Sequence, residues 1–279
     1  MIAGACVDAA GPAPPPVFGY DLQRNGTRTI YRAAVDGTDT TALTTGSGDD
    51  RQPTSAGGTV VFVSSRDGNG ELYAVPAAGG LPRRLTFTAA NEADPALSPD
   101  GTRLAYTRDD GGLPRLWLAG ADGSGAVRVT DSLDYAGAVD ASPSWAPGSD
   151  RVAFVSTTSG SARLYVLTLA TMHVAPLLPD TAVDVEPAWS PDGQAVAFTS
   201  GANGGGRLAL LTLATGAVTF LTPAASRNGQ PAWLPDGRLL FLSLGASPAL
   251  AWVDPRAPAT VHAIDVGPGV PGHPTPIRP

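Results

Sequence analysis

The chain of 279 residues has no lysine, one cysteine and three histidines, and each shortage excludes a kind of chemistry. Without lysine there is no Schiff-base or lysine-based nucleophilic catalysis. A single cysteine excludes an internal disulfide framework. The net charge of −7 argues against nucleic acid as a partner. No apolar run approaches the roughly 20 residues that a membrane-spanning helix needs.

Sequence motifs of the common enzyme classes are missing as well. There is no H-E-x-x-H, no C-x-x-C and no phosphate-binding P-loop. The nearest approach to a G-x-S-x-G nucleophile elbow is residues 245–249, which read G-A-S-P-A and lack the final glycine. The sequence therefore offers no catalytic residues.

What the chain does contain is a repeat, most clearly written in residues 186–222. A short apolar run ends at Pro-Asp-Gly, a triplet that sets the backbone angles of a tight turn. An alternating run follows, then a glycine-rich loop and two further apolar runs around a Thr-Gly turn. Four short antiparallel strands in roughly 44 residues are typical of one blade of a β-propeller.

The repeat can be counted on the proline that opens each unit. The successive spacings are 42, 48, 44 and 44 residues, and the prolines are Pro53, Pro95, Pro143, Pro187 and Pro231. Residues 17–44 match the last three strands of a unit, and residues 273–277 match a first strand. We therefore predict an all-β fold: a six-bladed β-propeller of four-stranded antiparallel blades, closed by the C-terminal strand completing the N-terminal blade.

The motif P-x-W/L-S-P-D-G followed by an apolar strand resembles the WD-like repeat of TolB-like β-propellers, and the hairpin at residues 65–73 is similar to theirs. The resemblance covers the chain from about Val17 onward. It implies a scaffold that binds a protein partner in the bacterial cell envelope, exported to the periplasm. We expect neither the N-terminal α/β domain of full-length TolB nor the hydrolase domain of the peptidase relatives.

The first 16 residues differ in composition from the repeats. Small residues before Cys6 resemble a bacterial lipobox, which would make Cys6 the lipidated residue of an outer-membrane-anchored lipoprotein. The alternatives are an incidental cysteine in a leader, or a module cut from a larger protein. We predict a tether over residues 1–16, because its Pro-rich stretch forms a semi-rigid spacer, and a single propeller over residues 17–279.

The loops ahead of the opening prolines are the predicted binding site, because they lead into the innermost strands and rim the central channel. Their excess of carboxylates suggests a mouth that holds a divalent cation or docks a cationic protein segment. The alternative is a solvated polar rim pinned by its arginines. The candidate residues are Asp50, Arg51, Glu92, Asp94, Asp140, Asp184, Glu186, Arg227, Asn228 and His273.

Tryptophan recurs in phase with the repeat, at Trp145, Trp189 and Trp233, with Leu97 at the equivalent position. A large aromatic side chain repeated at one position of every blade is expected to pack between blades rather than to form a stacking platform. We therefore predict that these residues belong to the core.

Two functions fit these patterns. The first is a monomeric, non-catalytic binding propeller that contacts the membrane only through a lipid on Cys6. The alternative is a lyase or lactonase that uses a divalent metal, such as Ca²⁺, bound by carboxylates in the channel. Enzymes of that kind need several inward histidines, and of the three histidines only His273 is placed near the channel. The sequence therefore favours binding.

Overall fold

The computed structural model describes residues 15–46, 48–130, 137–178, 183–201 and 206–277. Within these residues, twenty-four strands form six four-stranded sheets. The first twelve are β1 (Val17–Arg24), β2 (Thr27–Ala34), β3 (Thr41–Ala42), β4 (Asp50–Ala56), β5 (Thr59–Ser64), β6 (Glu71–Pro76), β7 (Arg83–Arg84), β8 (Asn91–Leu97), β9 (Arg103–Asp109), β10 (Pro114–Gly120), β11 (Val127–Arg128) and β12 (Asp140–Trp145). The other twelve are β13 (Arg151–Ser156), β14 (Arg163–Thr168), β15 (His173–Pro176), β16 (Asp184–Trp189), β17 (Ala195–Ser200), β18 (Arg207–Thr212), β19 (Ala217–Phe220), β20 (Asn228–Trp233), β21 (Leu239–Ser243), β22 (Ala249–Val253), β23 (Val261–Ile264) and β24 (Val270–Pro276).

The six sheets are the blades of a closed β-propeller, as predicted. Blade 1 has the strand order β24-β1-β2-β3, so the last strand of the chain completes the first blade. Blades 2 to 6 each use four consecutive strands, from β4–β7 to β20–β23. The antiparallel register of β24 on β1, with Phe18 opposite Pro276, fastens the ring. Closure gives β1 a hydrogen-bonded partner on the channel side, so that blade 1 has four strands like the other blades.

The core consists of small clusters between neighbouring blades rather than one central mass. Phe18 and Tyr20 of blade 1 pack against Leu240 and Leu250 of blade 6, which seals the ring. The other neighbouring pairs of blades bury equivalent clusters. Each blade is thus stabilised by removing apolar surface from water on both of its faces.

The recurring tryptophans belong to these clusters, as predicted. Trp145, Trp189 and Trp233 are buried. The indole N–H of Trp145 donates to the carbonyl of Ala96 in the preceding blade at 2.8 Å, and Trp233 repeats this bond to Ala188 at 2.9 Å. These two bonds therefore fix blades 4 and 6 against the blade before each of them.

Candidate binding site at the channel mouth

The innermost strand of every blade begins with the same irregularity. Its pairing with the second strand shifts register at the residue just before the opening proline, as between Ala141 and Ser144 in β12. Such a bulge re-aims the side chain of the extra residue. That residue is never glycine, yet it has a left-handed backbone in all six blades, with φ between 42° at His273 and 57° at Glu186.

The six bulge residues form a ring of polar side chains, which we call the mouth ring. They line a cavity of about 360 Å³ at the end of the channel where the inner strands begin. All six are half-buried, while the prolines that follow them are buried. The mouth ring consists of Gln52, Asp94, Ser142, Glu186, Gln230 and His273.

Hydrogen bonds link neighbouring members of the mouth ring. A side-chain oxygen of one residue accepts the backbone N–H of the next: Gln52 from Asp94 at 3.2 Å and Asp94 from Ser142 at 3.2 Å. Glu186 accepts from Gln230 at 2.7 Å, and Gln230 from His273 at 2.7 Å. The left-handed backbone leaves these amides outside the strand ladder, and the ring satisfies them.

Asp21, a fully buried residue of β1, connects His273 to Gln52. One Asp21 oxygen meets Nδ1 of His273 at 2.6 Å and accepts the backbone N–H of Gln52 at 3.3 Å. Its other oxygen accepts from the guanidinium of Arg28. Gly272 leaves room for this carboxylate, since a Cβ there would lie 3.0 Å from Asp21 Oδ2. Asp21 therefore fixes the orientation of the His273 ring.

The pKa values of the two aspartates in this network are shifted in opposite directions. Burial raises the pKa of Asp94 above its ordinary value, and the hydrogen bond from Ser142 N–H and the charge of His273 only partly offset this. Burial also acts to raise the pKa of Asp21, but the hydrogen bonds and charges of His273 and Arg28 outweigh it and lower the pKa. Asp21 is thus the carboxyl group held ionised.

A second, smaller cavity of about 200 Å³ lies on the far side of the ring prolines. The same six prolines line both cavities, so they mark the boundary between the two parts of the channel. Beyond these prolines the lining changes to small residues such as Ser144 and Ala188 and to the recurring tryptophans. Of the residues that line the two cavities, those with ionisable side chains therefore all lie at the mouth.

The structure brings only three of the ten predicted channel residues, Asp94, Glu186 and His273, into the lining of the cavity. Five others lie two residues before the mouth ring, as the first or second residue of an inner strand, and they are buried instead of facing the channel. We call them the strand-start residues; they are Asp50, Glu92, Asp140, Asp184 and Asn228.

The contacts of the strand-start residues show what they hold together. Asp140 accepts hydrogen bonds from the N–H of Leu116 at 3.2 Å and from the hydroxyl of Thr130 at 2.5 Å, both in the preceding blade. Asp50 forms an ion pair with Arg66 of its own blade at 3.0 Å. These carboxylates therefore connect secondary-structure elements and are not available to a ligand in the mouth.

The remaining predictions have different outcomes. Arg51 is half-buried and contacts Asp49 at 3.2 Å, and Arg227 is exposed in the loop before β20; neither lines the cavity. Cys6 lies outside the described residues. Sequence reasoning missed Gln52, Ser142 and Gln230, although a signal was present, because each directly precedes a repeat proline.

The described residues contain neither of two features that the alternatives would use. No group of three or more His, Cys, Asp or Glu side chains is placed there to hold a metal ion. Among the same residues, no helix is long and apolar enough to cross a membrane. At the mouth, the ring offers a set of hydrogen-bond donors and acceptors with two carboxyl groups.

Comparison with known proteins identifies similar chains. The family model for the TolB beta propeller domain matches residues 135–249. A Protein TolB homolog of Chlorobium luteolum is 30% identical, over 41% of this chain and 35% of that protein. A Tol-Pal system protein TolB of Desulfosudis oleivorans is 33% identical, over 39% of this chain and 24% of that protein. The chain thus covers about a third or less of these relatives.

The crystal structure of TolB from Acinetobacter baumannii shares the fold. It superposes with a TM-score of 0.81 at 19% sequence identity, and the match covers 95% of this chain and 67% of that one. The likeness in fold therefore extends over nearly the whole chain.

Proposed function

Because the chain is a TolB-like β-propeller, we propose that it is a non-catalytic scaffold that binds a protein partner at its channel mouth in the bacterial cell envelope. One matched relative is named a Tol-Pal system protein, which supports a partner from that system and a periplasmic location. The scaffold acts as a monomer, since each blade already has its neighbours within the ring.

The observation that carries this proposal is the mouth ring. Six polar side chains from six different blades meet around one cavity, and the rigid inner strands hold all of them. The hydrogen bonds from Asp94 N–H and His273 N–H fix two of the ring's side-chain oxygens in place before any ligand arrives. A preorganised surface loses little conformational freedom on binding, which favours affinity.

The charge of the mouth ring points to the character of the bound segment. Asp94 and Glu186 flank Ser142 on one side of the cavity. A partner segment that brings a lysine or arginine side chain or free N–H groups to this side would pair with their oxygens. A segment rich in carboxylates would be repelled.

The test is a binding measurement with the purified Tol-Pal proteins of the source bacterium. We expect one of them to bind, and we expect Glu186→Arg to weaken that complex by at least about tenfold, as for a lost charge-assisted contact. The matched control is Asp36→Arg, because Asp36 is exposed in the turn after β2, at the opposite end of the channel. Equal affinities for the two variants would overturn the proposal.

We further propose that Cys6, in the tether of residues 1–16, carries the lipid that anchors the propeller to the membrane. The support is the run of small residues before Cys6 and the Pro-rich spacer after it. In the native host, the chain is expected in the membrane fraction and Cys6→Ser in the soluble periplasmic fraction. The proposal fails if mass spectrometry finds an unmodified Cys6 in the membrane-bound protein.

A further inference from the structure

The loop of residues 85–90 joins blade 2 to blade 3 on the mouth side and carries Phe87, which is 74% exposed. Equivalent loops are recognised by one hydrogen bond, from a buried leucine N–H to a threonine hydroxyl. It joins Leu72 to Thr86 at 2.8 Å, and it recurs from Leu116 to Thr130 and from Leu208 to Thr222. These three junctions between blades can therefore be compared position by position.

One of the three junctions carries the opposite charge at the position before the buried leucine. The residue before the buried leucine is an arginine at two of the junctions, Arg115 and Arg207, and a glutamate, Glu71, at the third. The strand-start residue that follows each loop is Asp140, Asn228 or Glu92, respectively. Of the three, only the junction of blades 2 and 3 therefore sets a carboxyl group against another carboxyl group.

Glu71 and Glu92 are both fully buried. Thr88 binds the carboxyl groups of both, through its N–H to Glu71 at 2.9 Å and its hydroxyl to Glu92 at 2.6 Å, so the two carboxyl groups are neighbours. Glu71 Oε2 is buried and has no hydrogen-bond partner among the described residues. Two carboxyl groups this close in a protein interior cannot both ionise cheaply, so one proton between them satisfies the pair.

The loop of residues 85–90 is held next to this pair of glutamates by several contacts. Arg84 donates to Glu71 at 2.7 Å and to the carbonyl of Thr86 at 2.7 Å, and its guanidinium lies 4.7 Å from the ring centre of Phe87. Asn69, in the hairpin before Glu71, donates to the carbonyl of Thr88 at 3.1 Å. If the two carboxylates moved apart, the contacts that Arg84 and Asn69 make with the loop would be weakened.

We propose that Glu71 and Glu92 share one proton and form a pH-sensitive latch, so that loss of the proton releases the loop of residues 85–90, with Phe87, beside the channel mouth. Glu92 lies two residues before Asp94 of the mouth ring, which places the latch next to the binding site. The latch operates whatever the propeller binds.

The environment of the pair agrees with this assignment. Burial, and after it the charge of Glu71, raise the pKa of Glu92 to about 7 against the lowering effect of the Thr88 hydrogen bond. Because this lies above the ordinary 4.5, the stability that the shared proton supplies is complete below pH 4.5 and is lost as the pH rises through about 7. Among the described residues, the other charged or titratable groups around the pair include Arg84, Asp67, Arg51, Tyr106 and Arg108.

The experiment places a nitroxide spin label on the loop and follows its mobility by electron paramagnetic resonance. Since Cys6 is the only cysteine, Phe87→Cys in a Cys6→Ser background gives a single labelled site. Between pH 5 and 9 we expect one step from an immobile to a mobile spectrum, centred near pH 7, as the pKa of about 7 implies. With Glu92→Gln, whose amide donates to Glu71 at every pH, the label is expected to stay immobile.

A label at Ala224 is the matched control. Ala224 is exposed in the equivalent loop after Thr222, where Arg207 and Asn228 replace the two glutamates, and its spectrum is expected to be independent of pH. The proposal is overturned by a flat profile at position 87. It is also overturned by an equal step at position 224, or by a step at position 87 that survives Glu92→Gln.

Discussion

The strand-start residues and the mouth ring occupy the same short segment of each inner strand, two positions apart, but they have different surroundings. Asp140 is buried and holds two groups of the preceding blade, whereas Ser142 borders the cavity. In a regular strand, residues two apart share a face of the sheet. The bulge before each proline breaks that rule, so one segment both fastens the blades and lines the mouth cavity.

The largest effect should come from removing a strand-start carboxylate. Asp140→Ala leaves the N–H of Leu116 and the hydroxyl of Thr130 without this partner, in a place that water cannot reach. We expect the free energy of unfolding to fall by about 3 kcal/mol, measured by urea denaturation. Asp140→Asn keeps an acceptor oxygen and is the control. A loss as small as that of a surface variant would show that the comparison is mistaken.

The second effect concerns Asp21, which connects His273 to Gln52 from outside the segment. Asp21→Asn weakens the contacts with His273 and Arg28, and we expect a loss of about 2 kcal/mol at neutral pH. Because the pKa of Asp21 is lowered, its contribution is present above 3.8 and is lost as the pH falls through the folded-state pKa. Urea titrations at pH 7 and pH 3 should therefore differ less in the variant than in the parent chain.

A third variant tests the mouth ring. Glu186→Gln retains a side-chain oxygen for the N–H of Gln230 and the hydroxyl of Thr199. The free energy of unfolding should change by less than about 1 kcal/mol, while affinity for the partner falls with the lost charge. Calorimetry of binding and urea denaturation on the same preparation give both values. A large loss of stability with intact affinity would mean that Glu186 stabilises the fold and does not contact the partner.

The smallest effect is expected at Ser142. Its hydroxyl makes no hydrogen bond within the described residues, yet its backbone has a φ of 51°, which costs energy for any residue with a Cβ. Ser142→Gly should stabilise the fold by about 0.5 kcal/mol, because the relief of strain exceeds the added freedom of the unfolded chain. Thermal denaturation measures this, and a destabilised variant would mean that the hydroxyl has a role in the folded state.

The architecture could be read from the sequence because it repeats. The proline spacing and the split N-terminal unit predict six blades and the closure by β24, and both are confirmed. The tryptophans were placed correctly for the same reason: a large side chain that recurs in phase must face the same neighbour in each blade.

The candidate site was predicted only in part, and the reason is physical. Charge served as the signal, and it identified Asp94, Glu186 and His273 but also the strand-start carboxylates, which point elsewhere. Gln52 and Gln230 carry no charge, although they occupy the same position before a proline. The register shift that separates the two sets depends on pairing with the second strand, which the composition of the loop does not reveal.

The most direct test of the account is hydrogen–deuterium exchange of the propeller with and without the Tol-Pal protein that we propose binds it. We predict that protection appears in peptides that contain the mouth ring, such as those around Asp94, Glu186 and His273. The outer strands β15, β19 and β23 should exchange equally in both states. Protection confined to those outer strands, with the mouth ring unchanged, would contradict the claim that the channel mouth is the binding site.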